Sequence, residues 1–378
     1  MRVMFLGPIN CIHVIRWANA ISRRGHELTI VTMHDAIQEL DNNIDVVKLP
    51  FKAPLGYYLN ARKVNTIINN LKPDLIHVHQ ASGHGTLARL SINRPYLLSV
   101  YGADVLDVPF KSKFHFNLIK KNIEKAKIVA STSVFMADMV TRTFNYNKQI
   151  PVTPFGVDIN NFRPQNQESL DDKIKIGIVK RLERKYGVEY LVEAFHLTIK
   201  KLKTLGEDYI EKRLELIIVG KGSLLSELKD QVVKLNIEDR VHFLGRVNNE
   251  EVPNLLNSFE IFCVPSVLDS ESFGVAAVEA SACGLPVIAS NAGGLKEVIL
   301  DGETGYIVEK RNANQLSDKI VNLLLDAELR KELGNNGRNR VIENYDWEKN
   351  VDDMEELYVS LVQLKNNYHP KNGDNHEG

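Results

Sequence analysis

Cysteine is scarce. Three residues, Cys11, Cys263 and Cys283, are scattered through 378 positions, with no Cys-x-x-Cys and no Cys/His spacing. That excludes a disulfide framework and a zinc ribbon, and it predicts a reducing compartment. Long apolar runs are missing too: no stretch approaches 18 uninterrupted apolar residues, and MRVMFLGPIN is too short for a signal peptide. A cytoplasmic protein is expected. No Asp-x-Asp pair is present to carry a divalent metal; Asp269-Ser270-Glu271 is the nearest approach and reads as loop. No G-x-G-x-x-G follows the first predicted strand, which argues against an NAD dehydrogenase.

Net charge is almost absent, at −1, but the total conceals a division. Residues 1–164 hold 20 Lys and Arg against 11 Asp and Glu, a surplus of 9, and the remainder is acidic by 10. A basic half suits anionic lipid or an anionic substrate. Six of its lysines fall between Lys111 and Lys127, interleaved with Phe114, Phe116, Leu118, Ile119 and Ile123 at helical spacing. That segment is either a solvated surface helix or a contact with an anionic membrane surface.

What is present in quantity is apolar strand alternating with helix. A hydrophobic content of 44% is enough for two full cores. RVMFLG, ELTIVT, IDVVKLP, DLIHVHQ, YLLSVYG and KIVASTS read as strands, with a helix in HVIRWANAISRRG and a long one from about Tyr57 to Leu71. The turn-rich segment Thr153–Pro164 reads as a connection, and the pattern then restarts with KIGIVK, ELIIVG, RVHFLG, IFCVPS, VIAS and GYIV. Helices are expected at Val188–Leu202, Ser223–Leu235, Asn249–Leu256, Val275–Cys283 and Asn314–Asp326. The expected class is α/β, with two doubly wound Rossmann-like domains facing a central cleft. Residues 1–164 form the first domain and 165–346 the second; a last helix spans about 347–365, and a polar tail, 366–378, is expected to be disordered.

The chemistry concentrates in PSVLDSESFGVAAVEASACGLPVIASNAGG, residues 265–294. A buried strand, IFCVPS, delivers the chain through Gly274 into a helix that Gly284 and Pro286 stop. The first N–H groups of such a helix lack internal partners, and its dipole favours an anion there. Glu271 lies in the loop ahead and Glu279 more than a turn inside. Carboxylates repel phosphate but accept hydrogen bonds from hydroxyls, so Glu279 suits a ribose diol and Glu271 the hydroxyls of a group beyond the phosphates. The plain alternative is a capping acid and a solvated helix glutamate. The small residues around Glu279 weigh against it, because an idle carboxylate in a tightly packed helix is costly.

The spacing P-S-x4-E-S-F-G-x4-E-A-x-A-C-G-x-P-V-x-A-S resembles the signature of retaining GT-B glycosyltransferases of the glycogen-synthase-like superfamily (family 4), and RRGHELTIVT, GVDINNFRP, GIVKRLERKYGVEYLVEAF and GGLKEVILDGETGYIV are similar to further family blocks. The resemblance implies that Glu271 and Glu279 bracket a nucleotide-sugar, with Ser272, Phe273, Gly274 and Val275 around its phosphates. It implies that Arg181 and Lys185 of KRLERKYG bind the diphosphate, although Tyr186 stands where the family lysine usually does, and whether Lys185 or Lys180 replaces it is open. Gly220 adds a weak phosphate-loop signal, and Arg246 and Val247 match a segment whose backbone reads the base. In the basic half, VYGADV resembles a block usually written H-G-x-D: Asp104 matches, while Tyr101 replaces the histidine. Gly7, His79, Tyr101 and Asp104 are the acceptor-site residues implied; His77 and His79 share one strand face, read as one buried and one facing the cleft. His84 follows in a glycine loop.

The expectation is a metal-independent, retaining transferase with no cofactor beyond its nucleotide-sugar co-substrate, UDP favoured. It would act on a glycan or lipid-linked acceptor, as a cytoplasmic or peripheral membrane protein that does not bind nucleic acid. The alternatives are an epimerase or phosphorylase of similar shape, and a non-catalytic nucleotide-sugar-binding subunit.

Overall fold

A computed structural model describes residues 1–165 and 172–366. The polar tail, beyond its first residue, lies outside them. The chain divides into two compact units: residues 1–132, 136–153 and 349 onward form the first, and 133–135 with 154–348 the second.

All twelve predicted strands form. The first unit carries β1 (Arg2–Leu6), β2 (Glu27–Thr32), β3 (Ile44–Lys48), β4 (Leu75–His79), β5 (Leu97–Ser99) and β6 (Ile128–Ala130). They make one parallel sheet in the order β3-β2-β1-β4-β5-β6, with Phe5 opposite Ile30 on one side and His77 on the other. Its helices are α1 (Ile12–Arg23), α2 (Gly56–Leu59), α3 (Ala61–Leu71), α4 (Gly83–Ser91), α5 (Ala103–Leu106), α6 (Lys113–Lys125) and, from Met136 onward, α7 (Val134–Phe144). The single helix expected from Tyr57 to Leu71 is broken at Asn60. There the buried side-chain amide donates to Phe51 O at 2.8 Å and accepts from Phe51 N at 3.3 Å, so it serves the preceding loop.

The second unit repeats the plan: β7 (Ile174–Val179), β8 (Leu214–Val219), β9 (Val241–Gly245), β10 (Ile261–Val264), β11 (Val287–Ser290) and β12 (Gly305–Val308), in the order β12-β11-β10-β7-β8-β9, again all parallel. Its helices are α8 (Val188–Leu205), α9 (Asp208–Arg213), α10 (Leu225–Lys234), α11 (Val252–Leu256), α12 (Val275–Ala282), α13 (Leu295–Val298), α14 (Ala313–Leu325) and α15 (Ala327–Asn344). The helix expected over Asn249–Leu256 opens as a 3-10 turn, Asn249–Glu251, closed by a capping box between Asn248 and Glu251, and becomes α-helical at Val252.

The last helix, α16 (Trp347–Asn366), groups with the first unit from Lys349. Tyr358 on it bonds His77 Nδ1 at 2.7 Å, and Glu355 meets His26 at 2.7 Å and Arg24 at 3.2 Å. The inner strands of each sheet are buried on both faces, which is why they read as near-continuous apolar runs, while the edge strands β3 and β9 are partly exposed. In a doubly wound sheet the strand order reverses beside the first strand, and ligands bind at the carboxyl ends there. The two reversals fall between β1 and β4 and between β7 and β10.

Candidate active site

The second unit's reversal point gathers the loops after β7 and β10. α12 begins at Val275 because Gly274, at φ 90°, turns the chain into it. The first amides with an acceptor inside the helix are Ala277 and Val278, both to Gly274 O, so those of Val275 and Ala276 lie ahead of the hydrogen-bond ladder. At the other end Gly284 N bonds Ser281 O at 2.9 Å and Leu285 N bonds Ala280 O at 3.1 Å, a Schellman closure with Gly284 left-handed.

The Glu271 loop is fixed by close backbone approach. A Cβ on Gly293 would lie 2.2 Å from Glu271 O, and one on Gly294 2.2 Å from Ser272 O; Gly294 N donates to Glu271 O at 3.0 Å. Glu271 itself is 9% exposed, and its Oε2 receives Lys180 Nζ at 2.8 Å and Ser266 Oγ at 3.2 Å. Lys180 is the first residue past β7, so this ion pair spans the β7/β10 reversal. Glu279 is half-buried on α12. Ser272 is buried, and its carbonyl accepts from Ser133 Oγ at 2.6 Å. Phe273 is a core side chain, edge-on to Tyr345 at 5.4 Å and to Phe155 at 6.3 Å, leaving only its backbone for a ligand.

Beside the pair a cavity of about 510 Å³ is lined by Lys180, Arg181, Gly220, Lys221, Arg246 and Val247, among others. Four residues singled out from sequence, Arg181, Gly220, Arg246 and Val247, therefore share one pocket, with a volume suited to a nucleotide. Gly220, at φ 143°, lets the chain pass where a Cβ would strike Lys180 O. Arg181 is 74% exposed and reaches Glu183 at 3.7 Å; Glu183 is held below the usual carboxylate range chiefly by hydrogen bonds from Ser223. Lys185 does not line this pocket, and its ammonium lies 4.7 Å from the Tyr186 ring centroid. Of the two lysines between which the sequence left the choice open, Lys180 is the one that contacts Glu271.

In the first unit Gly7, His79, Tyr101 and Asp104 meet at the β1/β4 reversal. A Cβ on Gly7 would come within 2.9 Å of His79 Cβ, and His79 Nδ1 lies 2.6 Å from Tyr101 OH. Asp104 accepts from the amides of Ala81, Tyr101 and Gly102 at 2.7, 3.0 and 2.9 Å; burial raises its carboxyl above the usual range while those amides pull it back. It is a clamp on two loops. His77 and His79 do share a face, with rings 3.9 Å apart, but both are fully buried, which corrects the expectation that one faces outward. His77 is closed in by Tyr358 and by Ser99, 2.7 Å from its Nε2. Desolvation pushes His77 and His84 down to about 3 and His79 well below the ordinary imidazole value. His84 sits on the first turn of α4 and not in a loop. A second cavity, about 400 Å³, opens between Asn10, His34, Asp35 and Lys52 after β1, β2 and β3, and no sequence motif marked it. Among the described residues no three His, Cys, Asp or Glu side chains converge as a metal-holding group.

Two doubly wound units with an anion-ready helix, a glutamate and clustered basic residues at the second reversal define a glycosyltransferase of the GT-B type. Solved structures agree on the fold: Anabaena HepE, in complex with UDP, superposes with a TM-score of 0.82 at 20% identity, covering 95% of this chain and 100% of that one. The chain belongs to the group 1 (family 4-like) glycosyltransferases. Residues 159–340 match the family "Glycosyl transferases group 1", and residues 2–133 match "Glycosyl transferase 4-like". An uncharacterised glycosyltransferase of Methanocaldococcus jannaschii is 30% identical over 325 residues, 81% of each chain. The N-acetyl-alpha-D-glucosaminyl L-malate synthase of Bacillus anthracis is 27% identical over 364 residues, 91% of each.

Proposed function

We propose that this protein is a retaining, metal-independent glycosyltransferase that moves a sugar from a nucleotide-diphosphate donor, UDP favoured, to a glycan or lipid-linked glycan acceptor. The observation that carries the reading is the Glu271–Lys180 pair, in the loop leading into α12 and at the edge of a cavity of about 510 Å³ with Lys180, Arg181 and Arg246 in its wall. Departure of the diphosphate builds negative charge. The leading α12 amides, Arg181 and Lys185 would stabilise it electrostatically, a role a divalent metal fills in other transferases. Glu271 would orient the donor sugar and Glu279 grip the ribose. The resemblance of the 265–294 segment to the signature of retaining transferases supports departure of the leaving group from the face the acceptor enters, with retained configuration. The UDP in the HepE structure and the N-acetylglucosaminyl transfer named for the Bacillus relative support a UDP-sugar. Gly7, His79, Tyr101 and Asp104 would shape the acceptor end.

The basic first half supports an acceptor on an anionic surface. No helix among the described residues is long and apolar enough to cross a membrane. α6 exposes Phe114 and several lysines while burying Ile119, Asn122 and Ile123, which fits attachment at the inner membrane face.

The test is a thermal-shift panel of UDP-, GDP- and ADP-sugars, since a tight ligand raises the melting point by mass action. Turnover is then measured with the donor so found. Glu271→Ala should cut transfer by at least about 10²-fold while nucleotide affinity stays within about threefold. Unchanged turnover in that variant would remove Glu271 from its central role.

A further inference from the structure

We propose that Lys180 is the positioning residue for Glu271, holding one carboxylate oxygen so that the other is aimed at the donor sugar, with Tyr186 as the backing that keeps the lysine in place. The inference rests on the transferase reading above and adds to it a residue that the spacing of the motifs does not assign.

Four observations carry it. Lys180 Nζ and Ser266 Oγ both contact Oε2 of Glu271, at 2.8 and 3.2 Å, and among the described residues no hydrogen bond or ion pair reaches Oε1. A carboxylate tethered through one oxygen keeps the second as a hydrogen-bond acceptor in a fixed direction, which is what reading a sugar hydroxyl requires. The pair is shielded, with side chains 15% and 9% exposed, so the attraction is far less screened than at the surface. The lysine's backbone is locked: Lys180 N donates to Val219 O at 2.9 Å, and only the missing Cβ of Gly220 leaves room for Lys180 O. Its ammonium also lies 4.7 Å from the Tyr186 ring centroid, and that half-buried ring packs against the core of the second unit. Tyr186 is the position where the related pattern carries a lysine. The ring there supports two cations, Lys180 and Lys185, each at 4.7 Å.

Lys180 thus acts through Glu271, which separates it from a lysine that simply neutralises the diphosphate. The two roles differ in a binding ratio: the factor by which the nucleotide-sugar binds more tightly or weakly than the bare nucleoside diphosphate. Calorimetry with UDP and UDP-glucose (or the donor pair the panel selects) reads it in wild type, Lys180→Met, Lys180→Arg, Glu271→Gln and Lys180→Met/Glu271→Gln, with kcat and KM alongside.

The expected result is that Lys180→Met weakens nucleotide-sugar binding about tenfold, leaves nucleoside diphosphate binding within about threefold and lowers kcat by about 10²-fold. In the Glu271→Gln background the same substitution should cost less than about threefold, because its target is already gone. Lys180→Arg, still a cation within reach, should recover most of the ratio. The proposal is overturned if nucleoside diphosphate and nucleotide-sugar lose affinity equally, which makes Lys180 a phosphate ligand, or if the two substitutions multiply in full. A wild type that binds nucleotide-sugars but transfers none would sink the transferase reading, while the affinity ratio would still decide the role of Lys180.

Discussion

His84 is 1% exposed, and among the described residues neither of its ring nitrogens has a hydrogen-bond partner. Burial holds it, like His77, neutral, with a folded-state value of about 3 against the ordinary 6.5. Between those values the unfolded chain binds more protons than the folded one. Stability therefore rises with pH through that window and is lost as pH falls below about 6.5, by at most about 1.4 kcal/mol per pH unit for each such imidazole. Above pH 7 these groups contribute no slope. An apolar ring of similar shape at a site with no partners to strand should be nearly neutral at pH 7.5. His84→Phe is thus expected to narrow the difference in melting temperature between pH 7.5 and pH 5.0; an unaltered difference would show that His84 carries no part of the acid lability. The same residues mark how far the chain can be read in one dimension. Spacing of two places His77 and His79 on one face of β4, and the sequence conveys that. That His77 is sealed depends on Tyr358, 281 positions downstream, and no local pattern reaches so far.

Elements were legible in proportion to their apolar periodicity. α12 announced itself through Ala-rich composition between Gly274 and Gly284-Leu285-Pro286. α15, one of the longest helices, carries almost no apolar stripe: among its buried residues are Leu333, Gly334, Gly337 and Val341. Gly334 allows close approach to other backbone, since a Cβ there would lie 2.0 Å from Gly284 O. A helix that packs by lacking side chains has no hydrophobic signature. Gly293 governs the active loop in the same way. It holds φ 49°, and its absent Cβ is what admits Glu271 O. Gly293→Ala should cost about 1–3 kcal/mol of stability through backbone strain. Its larger effect should be on catalysis, since the loop that must move carries Glu271: an activity loss of about 10²-fold with the fold retained by circular dichroism. Near-wild-type activity at a lowered melting temperature would mean the loop relaxes without displacing the carboxylate.

At the scale of the molecule, two units share one strand order with no repeat in sequence, because the parallel doubly wound plan asks only for buried strands and covering helices. Fold class was therefore readable from apolar runs alone, whereas the cavity that gathers Arg181, Gly220, Arg246 and Val247 needed β7, β8 and β9 brought side by side. Charge is where the halves differ most, and it yields the last expectation. The surplus of 9 in residues 1–164 includes the six lysines between Lys111 and Lys127, flanking Phe110 and Phe114, which are 61% and 64% exposed. Lysines near an anionic bilayer contribute about 1 kcal/mol each, and exposed aromatic rings add burial at the interface. In co-sedimentation, the protein should bind phosphatidylglycerol-containing vesicles far better than pure phosphatidylcholine ones, and 0.5 M salt should release it, since the Debye length then falls to about 4 Å. Exchanging Lys111, Lys113 and Lys121 for Glu should abolish the preference, and Phe114→Ser should weaken binding without removing its salt dependence. Because α6 is held to its unit through buried Ile119, Asn122 and Ile123, all four exposed substitutions should leave the melting temperature within a few degrees. Binding that ignores both lipid charge and salt would assign the basic face to solvent alone, and the acceptor would then have to be sought among soluble molecules.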